Sequence, residues 1–246
     1  MKIYLKGQFW SETIEFYKSF AEIVSEQEAD LIVTNSFKSL ETNKPVAANM
    51  TATEHIKSPE IINLRGEDLS GFTAVGELTI CMAGYLIRKF KKEELKKKII
   101  GIIGVGRIGT DVLQHAEHFK MKIWLYDHSL HQASVLNDLL ENSDIVSLHI
   151  TAEESNRNFI NKEALDKMKN KAIFLNSARP WLVNYDALKW ALDNKLAGAW
   201  FDFEMPFTHS KMITTPHLGG TTRESTKKSE ILIAKKVKQY LLSKNK

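Results

Sequence analysis

The chain predicts an α/β protein: a doubly wound parallel sheet, preceded by a second, smaller α/β unit. Three observations carry this. From Ile99 onward, short apolar runs alternate with segments of helical spacing. The 246 residues are 43% apolar and 26% charged, enough to bury an interior. A cluster of glycines, Gly104 to Gly109, stands between an apolar run and a helical segment, where a strand would turn into a helix.

In the first 70 residues, Ile3 to Leu5, Leu31 to Thr34, Pro45 to Ala48 and Glu60 to Leu64 read as buried strands. Ile14, Tyr17 and Phe20 recur at helical spacing after a capping Ser11. Gly66 and Gly71 bracket a polar turn, and Thr73 to Lys89 then predicts an apolar helix with Cys81 in the core. The charge run Lys91 to Lys98 reads as a solvated loop or helix face, with a basic lip for an anion as the alternative. Strands follow at Ile99 to Ile103, Lys122 to Tyr126, Ile145 to His149, Ala172 to Leu175, Ala199 to Phe201 and Met212 to Thr214. Helices are predicted at Thr110 to Phe119, Lys162 to Met168 and Tyr185 to Asp193. Thr222 to Lys246 predicts a Lys-rich helix that buries Ile231, Ala234, Val237 and Leu241 and returns to the first unit. The implied division is residues 1–70 with 219–246, and 71–218.

Composition excludes several classes. One cysteine cannot form an internal disulfide framework, which suits a reducing, cytoplasmic setting. A formal charge of +4 is mild for a nucleic-acid binder, so no such partner is expected. The first residues lack the apolar run of a signal peptide, and no later stretch is long and apolar enough for a membrane span. His115 with His118, and His128 with His131, have helical spacing, but no cysteines or paired acids accompany them, so no metal is expected.

The glycine cluster Gly104-Val105-Gly106-Arg107-Ile108-Gly109 has the spacing of a dinucleotide fingerprint. Gly104 allows the tight turn, Gly106 lets the backbone approach a pyrophosphate, and Gly109 permits close packing of helix on strand. The N–H groups of the following turn, those of Arg107 and Ile108 included, carry the positive end of the helix toward the phosphates. Asp127 ends the next apolar run, 18 residues beyond Gly109, where a carboxylate accepts from ribose hydroxyls and repels a 2′-phosphate. No Arg or Lys occupies 128 to 130, so NAD is expected over NADP. This is a Rossmann-type reading of residues 71–218.

Further residues resemble the D-isomer-specific 2-hydroxyacid dehydrogenases, from about Val46 to Ser225. The segments that carry the resemblance are Ala74-Val75-Gly76-Glu77, the glycine fingerprint, Ser147-Leu148-His149, and Phe159-Ile160-Asn161 with Met168. Asn176-Ser177-Ala178-Arg179, Gly198 to Asp202 and Thr215-Pro216-His217-Leu218-Gly219-Gly220 complete them in order. The resemblance implies a smaller flavodoxin-like α/β substrate domain, an active site in the cleft between the domains, a homodimer through the cofactor domains, and hydride transfer with a small anionic 2-hydroxy or 2-oxo acid. Arg179 is implied as the carboxylate-binding group, suited by its planar fork. His217 is implied as the acid–base residue, since an imidazole titrates near working pH. His149, Ser177, Ala178, Asp202, Gly219 and Gly220 are implied beside the cofactor; for His149 a packed or hydrogen-bonded role stands equally.

The sequence departs from the family pattern at several places. The family glutamate that pairs with the histidine precedes a proline; here the loop reads Asp202-Phe203-Glu204-Met205-Pro206, shorter by two residues. Glu204 is either the partner of His217 or an ordinary exposed acid. The carboxylate-binding turn lacks its two glycines, Met50 and Ala52 standing in their places, and Thr51 and Ala52 are the candidate N–H donors. Thr151, Glu153, Pro180, Trp181 and Trp200 also differ from the pattern. These departures leave open an alternative reading, an NAD(H)-responsive regulatory protein of the same fold with little catalysis.

Overall fold

The computed structural model describes residues 1–36, 38–51, 53–69, 71–130 and 132–244. These form two compact units: Met1–Asp68 with Thr222–Lys246, and Leu69–Thr221.

The chain opens with β1 (Lys2–Lys6), α1 (Ser11–Lys18), β2 (Glu22–Ile23), β3 (Leu31–Thr34), β4 (Leu40–Glu41), β5 (Val46–Ala48), β6 (Ile56–Lys57) and β7 (Ile61–Ile62). A parallel sheet runs in the order β2-β1-β3-β5-β7, and β4 pairs with β6 beside it. β3 and β5 are wholly buried and, but for Thr34, apolar, as strands covered on both faces must be. The two-residue strands β2, β4 and β6 are too short for any periodicity to announce them, and the run Glu60 to Leu64 yields only Ile61–Ile62 as strand.

The second unit contains α2 (Ala74–Leu86), continued by a π-helical turn Ile87–Lys91, then β8 (Ile99–Ile103), α3 (Arg107–His118), β9 (Lys122–Tyr126), α4 (Ala133–Asn142) and β10 (Ile145–Leu148). It continues through α5 (Lys162–Lys167), β11 (Ile173–Asn176), α6 (Tyr185–Asn194), β12 (Gly198–Phe201) and β13 (Met212–Thr214). The six strands are parallel, in the order β13-β12-β11-β10-β8-β9. Chain order reverses between β8 and β10, so their carboxyl ends open a crevice of the kind that binds ligands in doubly wound folds. One buried cluster, including Phe174, Phe201, Leu188 and Leu192, covers one face of this sheet. A second, including Ile80, Leu86, Val112 and the buried Trp200, covers the other.

Three expectations need correction. α3 starts at Arg107, not Thr110, because Gly106 is extended and the helix begins inside the glycine cluster. Cys81 is exposed rather than in the core: it lies on the outer stripe of α2 with Glu77 and Tyr85, while Ile80 and Ala83 face inward. α4 is not among the helices that spacing predicts; Leu139 and Leu140 bury it despite the Asn, Asp and Ser residues that weaken its helical propensity.

The last helix, α7 (Arg223–Lys244), belongs to the first unit. Ala234, Val237 and Leu241 are buried as expected, whereas Ile231 is only half-buried and Ile233 takes the inner position. Ser229 and Glu230 are buried too, although polar. Glu230 Oε2 accepts from the Trp10 N–H at 3.0 Å and its Oε1 accepts from Asn35 Nδ2 at 3.1 Å. Asn49 Nδ2 donates to Ser229 Oγ at 3.3 Å. α7 thereby holds the loops that leave β1, β3 and β5.

Candidate functional site

The crevice at the carboxyl ends of β8, β9 and β10 measures about 500 Å³; its walls are Gly104, Gly106, Tyr126, Asp127, Ser129, His149 and their neighbours.

 A separate groove of about 670 Å³ is lined by Tyr85, Arg88, Lys92, Lys96 and Phe119.

Each glycine of the turn has its own physical reason. Gly104 has φ +90°, and a Cβ there would stand 2.7 Å from the His149 carbonyl oxygen. At Gly109 a Cβ would stand 2.0 Å from the Gly104 oxygen, so no larger residue fits. Gly106 has nothing within 4 Å of its Cβ position, which leaves the backbone open to an approaching phosphate. Because α3 begins at Arg107, the N–H groups of Arg107, Ile108 and Gly109 belong to its first turn and have no carbonyl four residues earlier in the helix. The Arg107 side chain turns away, its Nη1 donating to the Phe72 carbonyl at 3.0 Å. Burial lowers its pKa, against the neighbouring Asp111 carboxylate.

Asp127 anchors this turn as well as facing the crevice. Its Oδ2 accepts from the Val105 N–H at 3.0 Å, and its Oδ1 accepts from the Ser129 N–H at 3.0 Å and the Ser129 hydroxyl at 2.6 Å. An open glycine, a first helical turn and an acid beyond the second strand fit the phosphates and adenosine ribose of a dinucleotide.

The second group of residues follows β11 and β12. Asn176, fully buried, accepts from the Ala178 N–H and donates to the Arg179 carbonyl, both at 2.9 Å, which shapes the Asn176 to Arg179 turn. Arg179 Nη1 donates to the Ala178 carbonyl at 2.7 Å. Asp202, 2% exposed, accepts from the Thr215 hydroxyl at 2.7 Å, the Leu218 N–H at 2.8 Å and the Gly219 N–H at 2.7 Å. Trp200 Nε1 donates to the same Thr215 oxygen at 3.0 Å. These bonds brace both sides of His217, whose φ of 57° is left-handed and whose N–H closes a three-residue turn on Thr215. A Cβ at Gly219 would stand 2.8 Å from Asp202 Oδ2, so that glycine is required by close approach. Gly220 is open.

The charged groups acting on the His217 imidazole include Arg179 and Asp202. Burial lowers its pKa most, the Arg179 charge lowers it further, and Asp202 opposes both. Glu204 is exposed on the loop after β12. Asp202 thus supplies a negative charge beside the imidazole; the signal for it was its place in the Gly198 to Asp202 segment. Asn176 was legible only as part of a motif. In the first unit, Met50 is buried and neither Met50 nor Thr51 has a positive φ, while Ala52 lies outside the described residues. His128 lines the crevice, and His131 also lies outside the described residues. Among the described residues no group of three or more His, Cys, Asp and Glu forms a metal site, and no helix is long and apolar enough to cross a membrane.

Doubly wound sheet, glycine turn and acid define a dinucleotide-binding protein. The family described as D-isomer specific 2-hydroxyacid dehydrogenase, NAD binding domain, matches residues 82–219. The chain belongs to that family, and its cofactor is NAD. It is 32% identical over 173 residues to a D-3-phosphoglycerate dehydrogenase of Methanocaldococcus jannaschii, covering 63% of this chain and 33% of that protein. It is 32% identical over 168 residues to a hydroxypyruvate reductase of Thermotoga maritima, covering 61% of this chain and 55% of that one. The match thus spans about a third to about half of these relatives. An NAD+-bound 3-phosphoglycerate dehydrogenase of Entamoeba histolytica superposes with a TM-score of 0.82 at 20% identity, covering 98% of this chain and 95% of that one. At that identity the likeness is one of fold.

Proposed function

We propose that the protein is an NAD-dependent oxidoreductase that moves a hydride between the nicotinamide and the C2 atom of a small 2-hydroxy or 2-oxo acid of the D series. The observation that carries the reading is the imidazole of His217, braced by Asp202 and acted on by the Arg179 guanidinium within the same unit. Bound NADH supplies the hydride. Gly104, Gly106 and the N–H groups of Arg107, Ile108 and Gly109 hold the phosphates, and Asp127 accepts from the adenosine ribose. Arg179 pairs with the substrate carboxylate and polarises the carbonyl. His217 gives a proton to the developing alkoxide during reduction and takes it back during oxidation. Thr51 and Ala52 are proposed carboxylate contacts, and Ser177, Ala178, Gly219 and Gly220 proposed neighbours of the cofactor. Asp202 is a positioning residue for His217.

The outer stripe of α2, with Glu77, Cys81, Tyr85 and Arg88 at helical spacing, is the proposed face for a homodimer. A lone exposed thiol suits a reducing, cytoplasmic setting. NADH oxidation with a panel of short 2-oxo acids tests the activity. Turnover is expected with at least one acid and should fall by roughly 10²-fold or more in His217→Ala. No turnover with any acid, or an unchanged rate in that variant, overturns the reading.

A further inference from the structure

His149 lies where three parts of the second unit meet. Its N–H donates to the Ile103 carbonyl at 2.7 Å, carrying the β8 to β10 ladder one residue beyond β10. Its carbonyl stands against Gly104, at 2.7 Å from where a Cβ would be, so backbone at 149 and the glycine turn are in close packing. Its ring lies between two serines: Ser147 Oγ is 2.7 Å from Nε2, and Ser177 Oγ is 3.4 Å from Nδ1. Ser147 is fully buried on β10, and Ser177 belongs to the turn that ends in Arg179.

We propose that His149 is a positioning residue that links the glycine turn to the arginine turn, accepting from the Ser147 hydroxyl at Nε2 and presenting Nδ1–H to Ser177. The assignment follows from hydrogen counting. A neutral imidazole has one N–H and one lone pair, and the hydroxyl hydrogen of the fully buried Ser147 has no other acceptor than Nε2 among the described residues, so a proton on Nε2 would leave it unpaired. The Ser147 proton therefore lies toward Nε2, and Nδ1 carries the ring proton toward Ser177. The Ser177 hydroxyl hydrogen is then not taken up by the ring. Burial pushes the His149 imidazole down to about 3, so the same arrangement holds at neutral pH. This deepens the proposed function and rests on it for its catalytic consequence, while the ring's hydrogen bonding is independent of that reading.

Imidazole 15N shifts of the ligand-free protein test the bonding directly. The expected result is one neutral tautomer protonated at Nδ1 at pH 7; a protonated ring or the other tautomer overturns the proposal, whatever the enzyme does. His149→Ala is expected to lower kcat by roughly 10²-fold, the scale of a misplaced reacting group, with NADH dissociation changed less than about threefold. His149→Asn, whose amide reaches the Nδ1 position and can still donate to Ser177, should recover part of that loss. An NADH affinity that falls as far as kcat, or no recovery in the asparagine variant, overturns the positioning role. If the wild-type protein turns over no 2-oxo acid, the proposed function fails while the tautomer result still decides the bonding.

Discussion

At His217 the backbone holds a left-handed conformation that costs a non-glycine residue roughly 1–2 kcal/mol. The bonds from Thr215, Leu218 and Gly219 to Asp202 on either side of it offset that strain. Asp202→Asn removes a negative charge that favours the protonated His217 ring, so the imidazole should protonate at lower pH still. Carbonyl reduction needs the protonated ring, so its rate falls as pH rises through the folded pKa. The variant's pH profile should move to the acid side, with activity at pH 7 down by roughly tenfold or more; an unmoved profile removes Asp202 from the electrostatics of the ring. Asp127 has two tasks, ribose recognition and anchoring of Val105. Asp127→Arg should shift the ratio of NADH to NADPH affinity by roughly tenfold or more toward NADPH, about 1.4 kcal/mol. Equal affinities in the wild-type protein would sink the assignment of Asp127.

Among the elements, α2 and α3 approach closely because Gly76 lies against Asp111, where a Cβ would stand 2.5 Å from the Asp111 Cβ. Asp111 is nearly buried, one of its oxygens lacks a hydrogen-bond partner among the described residues, and burial raises its pKa against the charges of Arg107 and His115. α7 acts by a different device. It buries an apolar stripe and adds Glu230, whose two oxygens hold loops more than 190 residues away in sequence. Glu230→Ala leaves the Trp10 N–H and the Asn35 amide without that acceptor and should destabilise the first unit by roughly 2–4 kcal/mol. Urea unfolding followed by far-ultraviolet circular dichroism measures this, and a loss below about 0.5 kcal/mol would show that water replaces the carboxylate without cost.

For the protein as a whole, the two histidines with lowered pKa make acid a destabilising condition. An unfolded imidazole takes up its proton near 6.5, whereas burial holds His149 down to about 3. Between those values the unfolded chain binds more protons, so stability is present above about pH 6.5 and is lost as pH falls. The slope is about 1.4 kcal/mol per pH unit for His149 alone, with His217 adding in the same direction. Urea midpoints at neutral and mildly acid pH should therefore diverge more in the wild-type protein than in His149→Asn. Equal losses in the two would show that His149 does not carry the acid sensitivity.

Local pattern alone determined much of this protein. Buried parallel strands are apolar runs, and a glycine turn needs glycine at Gly104 and Gly109 whatever surrounds it, so both were legible residue by residue. The Asn176 to Arg179 and Thr215 to Gly220 segments were legible as motifs. Tertiary structure decided what depends on contacts between distant residues: Cys81 outside rather than inside, the burial of Ser229 and Glu230, and α4 formed against its own propensity by packing of Leu139 and Leu140. It also decided that Asp202 is bound to Thr215, Leu218 and Gly219 on either side of His217, because hydrogen-bond geometry between segments that follow different strands is not written in spacing along the chain.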